Sequence, residues 1–192
     1  GWFEDLGDAE TEQQYLAGLR DDLEVDVALL DSVIETNSRR LELLAEVVSN
    51  LGTLAEAPAE EQAKAMFIPS SYHFFEPSDF TYSSMQESGD FRLLADADTK
   101  TRLLRLVRRY RLIDTLQKNF IQAMDDEYIP LMMAGFDLIE QRVTDPAIIE
   151  SQVFRNFFPY TYQDIETRVQ IYKQARDEAS ELLDLIETQI RD

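Results

Sequence analysis

The chain has no cysteine, one histidine, and only six glycines and six prolines among its 192 residues. Without cysteine there are no disulfides, no thiolate metal sites and no cysteine nucleophile. A single histidine closes the class of two-histidine metal centres, including the helical Glu-x-x-His pairs of di-iron bundles. That residue, His73, stands among Tyr72, Phe74 and Phe75 with no nucleophile signature beside it. A loop histidine, packed or at the surface, is therefore favoured over a catalytic one. So few glycines and prolines leave too little turn punctuation for an all-β chain. No apolar run approaches the ~20 residues needed to span a bilayer. Bases are also scarce: 18 Lys and Arg against 38 Asp and Glu give a net charge of -20. Such a molecule repels the phosphate backbone of a nucleic acid.

What is present points to helices. Hydrophobic residues make up 44% and charged residues 29%, a balance that folds and is too apolar for intrinsic disorder. From Leu16, apolar residues recur in threes and fours through Leu19, Leu23, Val27, Leu30 and Ile34. Asn37 takes the next slot, and Leu41, Leu44, Val48 and Leu51 follow. This spacing predicts a long helix packed at a shallow angle against similar ones, with Asn37 at a polar layer or a local adjustment of the seam. Gly52 and Pro58 close it, and a short helix is expected over 59–68. Residues 69–80 mix proline, serine and aromatics without helical period. Thr81 to Ser88 reads as a short helix with Gly89 at a left-handed C-terminal cap.

A second long helix is expected from an N-cap at Asp98, with Leu103, Leu106, Tyr110, Ile113, Leu116, Phe120 and Met124 on its inner face. Pro130 should kink or break it, with 131–143 as continuation or separate segment. The third is expected to begin at Thr161 as cap and to run through Tyr162, Ile165, Val169, Tyr172, Ala179, Leu183, Ile186 and Ile190. Arg176 interrupts that stripe, and Ala175 beside it can take the inward place. The fold class is all-α: a three- to four-helix bundle of long antiparallel helices with short accessory helices. Residues 1–10 read as a juxtamembrane start and 11–192 as a single bundle domain.

Chemistry-bearing patterns are few. Asp96, Asp98 and Lys100 begin like a calcium loop, but glycine is missing from the sixth position and Val107 stands where a bidentate Glu belongs. Asp125, Asp126 and Glu127 splay around a helix axis, so a solvated acidic face is the better account. Neither a metal nor a cofactor is expected, and no catalytic set emerges. The charge is unevenly spread: residues 1–60 hold 15 acids and 3 bases, while 99–118 hold 7 bases against Asp114 alone. The basic face over 102–111 reads either as an anion or lipid-headgroup site or as a complement to the acidic first helix (Asp21, Asp22, Glu24, Asp26, Asp31). The second is the simpler use of charge. The aromatic segments Tyr72–Phe80 and Phe154–Tyr162 read as a hydrophobic lid more readily than as an exposed partner patch, and they could meet. A small ligand, if one is taken, is expected near Tyr72, His73, Tyr82, Arg105, Arg109 and Tyr160.

Two stretches carry a resemblance. Trp2-Phe3-Glu4 with residues 12–24 (EQQYLAGLRDDLE), and residues 80–94 (FTYSSMQESGDFRLL), resemble an uncharacterised bacterial family, a domain of unknown function. Its pattern is Thr-Tyr-x-x-Leu-x-x-Ser-Gly-x-x-x-Leu, and Met85 here stands in the leucine position, a mild change at a packed site. The resemblance implies one N-terminal transmembrane helix ending near Trp2 and a helical domain on the periplasmic side of the inner membrane. The start Gly1-Trp2-Phe3, without methionine, is read as a processed or truncated beginning, with the tether upstream of it. The expected function is a non-enzymatic interaction or scaffolding domain with a protein or cell-envelope partner and a possible homo-oligomer. The alternative is a bundle that senses a small molecule near its aromatic end.

Overall fold

The computed structural model describes residues 2–190, and the side chains of 7–190. The Trp2 side chain, on which the interfacial expectation rests, falls outside them. The protein is all-α. Its elements are α1 (Trp2–Asn50), α2 (Ala59–Phe67), α3 (Phe80–Ser88), α4 (Ala97–Ala123), α5 (Ile129–Gly135), α6 (Ala147–Glu150) and α7 (Gln152–Glu187). One two-stranded antiparallel hairpin, β1 (Phe136–Asp137) and β2 (Arg142–Val143), pairs Phe136 with Val143. Where the apolar pattern suggests one bundle, contacts gather into two compact units. Unit 1 comprises Gly1–Ser32, Phe75–Ile113 and Ile171–Asp192, and unit 2 comprises Val33–Phe74 and Asp114–Gln170. Helices α1, α4 and α7 each contribute to both.

Each unit has its own core. In unit 1, Leu16, Leu19 and Leu23 of α1 pack with Met85, Leu94, Leu103, Leu106, Ala179, Leu182 and Ile186. In unit 2, Leu44 packs with Met66, Phe120, Met124, Tyr128, Phe154, Phe158, Ile165 and Val169 among others. Ala175 is fully buried, so it does take the inward place beside Arg176.

Two helix starts differ from the sequence expectation, each for a local reason. Helix α7 starts at Gln152, not Thr161, and carries Pro159 inside it. Its cap is Ser151, whose Oγ accepts from the Phe154 N–H at 3.2 Å. Thr161 instead donates its hydroxyl to the Phe157 carbonyl one turn back, at 2.7 Å, a bond that a helix interior tolerates. Helix α4 is capped by Asp96 rather than Asp98, since the Asp96 carboxylate accepts from both the backbone N–H (2.7 Å) and hydroxyl (2.8 Å) of Thr99. Asp98 pairs with Arg102 instead. At Pro130 the helical course continues, one of the two expected outcomes: a π-helical turn over Met124–Tyr128 joins α4 to α5, which ends at Gly135. The wider turn makes room for a ring that would otherwise strike the carbonyl four residues earlier. The expected cap at Gly89 is present, with φ +78°.

Candidate functional site

Helix α4 sets its basic run against α7, not against the acidic part of α1. Arg102 reaches Glu181 at 2.9 Å as well as Asp98. Arg109 forms a two-point contact with Glu178, Nη2 at 2.8 Å and Nε at 3.3 Å. The expected complement to α1 is thus corrected: Asp21 pairs with Arg20, Asp31 with Arg176, and Asp22 and Asp26 serve α3 and the segment before it. Among the described residues, Arg105 and Arg108 pair with no carboxylate. They lie with Thr101, Leu104, Arg109 and Leu112 along an open groove of about 490 Å³. Leu104 and Leu112 are each 41% exposed, so two uncompensated guanidiniums sit between two uncovered apolar side chains.

A second cluster lies inside unit 2. Arg168 is 1% exposed and Arg40 5%, burial that charged side chains tolerate only with partners. Arg168 donates from Nε to Asp164 Oδ2 at 2.7 Å, and its guanidinium stands over the rings of Phe74 and Phe120 at 5.0 and 5.1 Å. Arg40 donates from Nη2 to the carbonyls of Ile68 and Pro69 at 2.8 and 3.1 Å. Burial, and then the neighbouring charge of Arg168, push the Arg40 guanidinium down to about 10. Asp164 is pushed up by burial, against the pull of Arg168 and Arg40. Asn37, also fully buried, donates to the carbonyls of Val33 and His73, the polar layer that is one of the two readings of its place in the seam.

Unit 1 holds a buried carboxylate of its own. Asp26, 1% exposed, accepts from Ser78 N at 2.6 Å and from the Tyr110 hydroxyl at 2.8 Å. Burial outweighs these two bonds and pushes it from 3.8 up to about 6.

The side chains expected to gather at a ligand do not share one place. Tyr72 and Tyr160 both pack on Phe120, at ring distances of 6.0 and 6.4 Å. His73 is an exposed residue of the same unit. Tyr82, in unit 1, packs on Phe91 and accepts from Gln86, while Arg105 and Arg109 belong to the α4 groove. The two aromatic segments converge in part: Tyr72 and Phe74 of the first and Phe157 and Tyr160 of the second all meet Phe120 in unit 2, where Phe154, Phe157 and Phe158 are buried in the core, whereas Phe75 packs on Tyr110 in unit 1 and Phe80 is exposed. Asp125, Asp126 and Glu127 are exposed on the π turn. Among the described residues no group of His, Asp or Glu is placed to hold a metal ion, and no helix is long and apolar enough to cross a membrane.

Sequence reasoning missed Arg40 and Arg168 altogether, and of Asp26 it missed the burial. A signal for two of them existed: the steps Leu23, Asp26, Leu30, Val33, Asn37, Arg40, Leu44 keep an unbroken alternation of threes and fours.

The stretches 12–24 and 80–94 interlock in unit 1. The Tyr15 hydroxyl donates to Asp90 at 2.8 Å and lies 3.2 Å from Ser88 Oγ. Glu12 accepts from Ala95 N and Asp22 from Thr81 N, while Met85 is fully buried. A Cβ on Gly18 would come 2.7 Å from Thr81 Oγ1, so α3 approaches α1 more closely than a larger residue permits. The residues of this pattern hold helices together. Compared with family models, curated proteins and solved structures, the chain matches none.

Proposed function

We propose that the protein is a non-enzymatic interaction module that docks an acidic segment of a partner protein onto the exposed face of α4. The observation that carries this reading is the pair Arg105 and Arg108, unpaired between Leu104 and Leu112. Arginine forks match carboxylates in a two-point geometry, and arginine with flanking apolar area is the usual composition of an interface centre. A protein partner is favoured over an anionic bilayer because the remaining charge of a -20 chain opposes approach to a broad negative surface. The envelope setting, with a tethering helix before Gly1 and the domain on the periplasmic side of the inner membrane, rests on the resemblance carried by residues 12–24 and 80–94.

The test is site-specific photo-cross-linking in cells. Probes at Leu104 and Leu112 give a common adduct whose cross-linked peptide is rich in Asp and Glu, absent from a probe at the exposed Asn119 and abolished by the Arg105→Glu/Arg108→Glu pair. Adducts that ignore the charge reversal, or that arise equally at Asn119, refute it. So does sedimentation of the protein with phosphatidylglycerol vesicles that the same pair abolishes, in place of any protein adduct.

A further inference from the structure

The interior of unit 2 holds more donors than its own acceptors satisfy. Arg40 Nε and Nη1 and Arg168 Nη1 are buried without a hydrogen-bond partner. Arg168 Nη2 lies 2.6 Å from Asp164 Oδ2 but off the direction of a hydrogen bond. Buried donors of this kind are rare because each carries the full loss of its hydration, and more so when charged. Both guanidiniums are held by one corner: Arg40 through two backbone carbonyls, Arg168 through Asp164 and two ring faces. The remaining N–H groups, on Arg40 Nε and Nη1 and Arg168 Nη1, are left over and fixed in place.

We propose that Arg40 and Arg168 together receive the carboxylate of a small organic acid inside unit 2. Charge selects the ligand class. Two guanidiniums face one internal carboxylate, Asp164, so one further negative charge closes the balance and a dianion overshoots it. The unpartnered N–H groups are charged donors, which carboxylate oxygens accept from strongly. The surroundings suit an organic body rather than a bare ion: Phe74 and Phe120 flank Arg168, Tyr72 stacks on Phe74 at 4.9 Å, and Tyr160 stacks on Phe120. The cluster is not sealed, since Tyr72 and Tyr160 are each 41% exposed and the Asp164 side chain 14%. None of these residues belongs to the α4 groove, so the site stands independently of the docking reading.

Titration calorimetry on the full chain tests this with benzoate, acetate and inorganic phosphate, each against chloride at matched ionic strength. Benzoate is expected to bind at one site and acetate more weakly. Arg168→Met and Arg40→Met, which keep volume without charge, are expected to weaken benzoate by about tenfold or more while retaining helical circular dichroism. Arg105→Glu/Arg108→Glu leaves benzoate binding unchanged, which separates this site from the docking face. Heat from phosphate with none from either carboxylate overturns the assignment, as does silence from all three anions, which leaves the nitrogens to water. If a methionine variant fails to fold, wild type decides: saturable one-site benzoate binding with protection of the Arg168 side-chain N–H resonances supports the proposal, and its absence refutes it.

Discussion

Replacing Asp26 with Asn gives the most direct test of how burial acts on this chain. The carboxylate is pushed from 3.8 to about 6 in the folded state, so folding favours its neutral form. Below the unfolded value both states are protonated and the contribution to stability is fully present. Between pH 4 and 6 the folded state holds more protons than the unfolded one, and stability falls as pH rises through that window. A shift of about two units corresponds to about 3 kcal/mol. Desolvation is the largest cause and the neighbouring Asp22 adds to it, while the bonds from Ser78 and Tyr110 act against both. In the variant, asparagine still accepts from Ser78 N and can donate to the Tyr110 oxygen. The Tyr110 hydroxyl hydrogen loses its acceptor, which removes about 1 kcal/mol at every pH and leaves the slope untouched. Urea unfolding of both proteins from pH 3.5 to 7.5 measures the difference. Asp26→Asn is expected to gain on wild type by about 3 kcal/mol across that range, nearly all of it between pH 4 and 6. A difference that stays flat, or that moves the other way, would refute the claim that burial rather than hydrogen bonding governs this carboxylate.

Further expectations address the cap, the packing and the motif. Ser151→Ala removes the acceptor for Phe154 N and is expected to lower stability by about 1 kcal/mol, read by urea unfolding. Gly135→Ala places a Cβ 1.7 Å from Ile148 Cδ1, in a wall where Ile148 is buried, and is expected to lose about 1–3 kcal/mol. Ile148→Val deletes that methyl, so the double variant recovers part of the loss; strict additivity in thermal unfolding would show that the clash is not the cause. Met85→Leu, a fully buried site, is expected to change stability by less than about 1.5 kcal/mol, and a larger loss by chemical denaturation would mean that the pocket requires the flexible thioether.

The helical class was legible because it depends on period, and α1, α4 and α7 all carry it. What the apolar pattern blurred was the seam's exact course. Following hydrophobic residues leads through Val27, Ile34 and Leu41, each one position past the true inner residues Asp26, Val33 and Arg40. A slip of one position, backward and forward respectively, likewise takes Leu116 for Gln117 and Leu183 for Leu182. Residues beside a seam are half-buried and can be apolar, whereas a charge on the seam looks like a gap. Asp26 therefore reads as part of an acidic face and Arg40 draws no notice, although the spacing runs straight through both. Arg168, which sits between the inward Ile165 and Tyr172, was hidden for the same reason. The start of α7 is displaced because the aromatic segment 154–162 reads as a lid rather than as helix, and the partners of the basic run because sequence charge has no direction in space.

The pairing of α1 with α3 has a consequence for the order in which the chain assembles. Helix α3 has nine residues, too few to persist alone in water. The backbone N–H groups at its entrance are taken by Asp26 and Asp22, 52 and 59 residues away in sequence, and its exit is tied to Tyr15 and Glu12. Nothing in 78–95 can therefore become ordered until the stretch of α1 from Glu12 to Asp26 exists to receive it. This segment joins late during folding and leaves first when unit 1 opens, with its amides exchanging as one group ahead of those of α1.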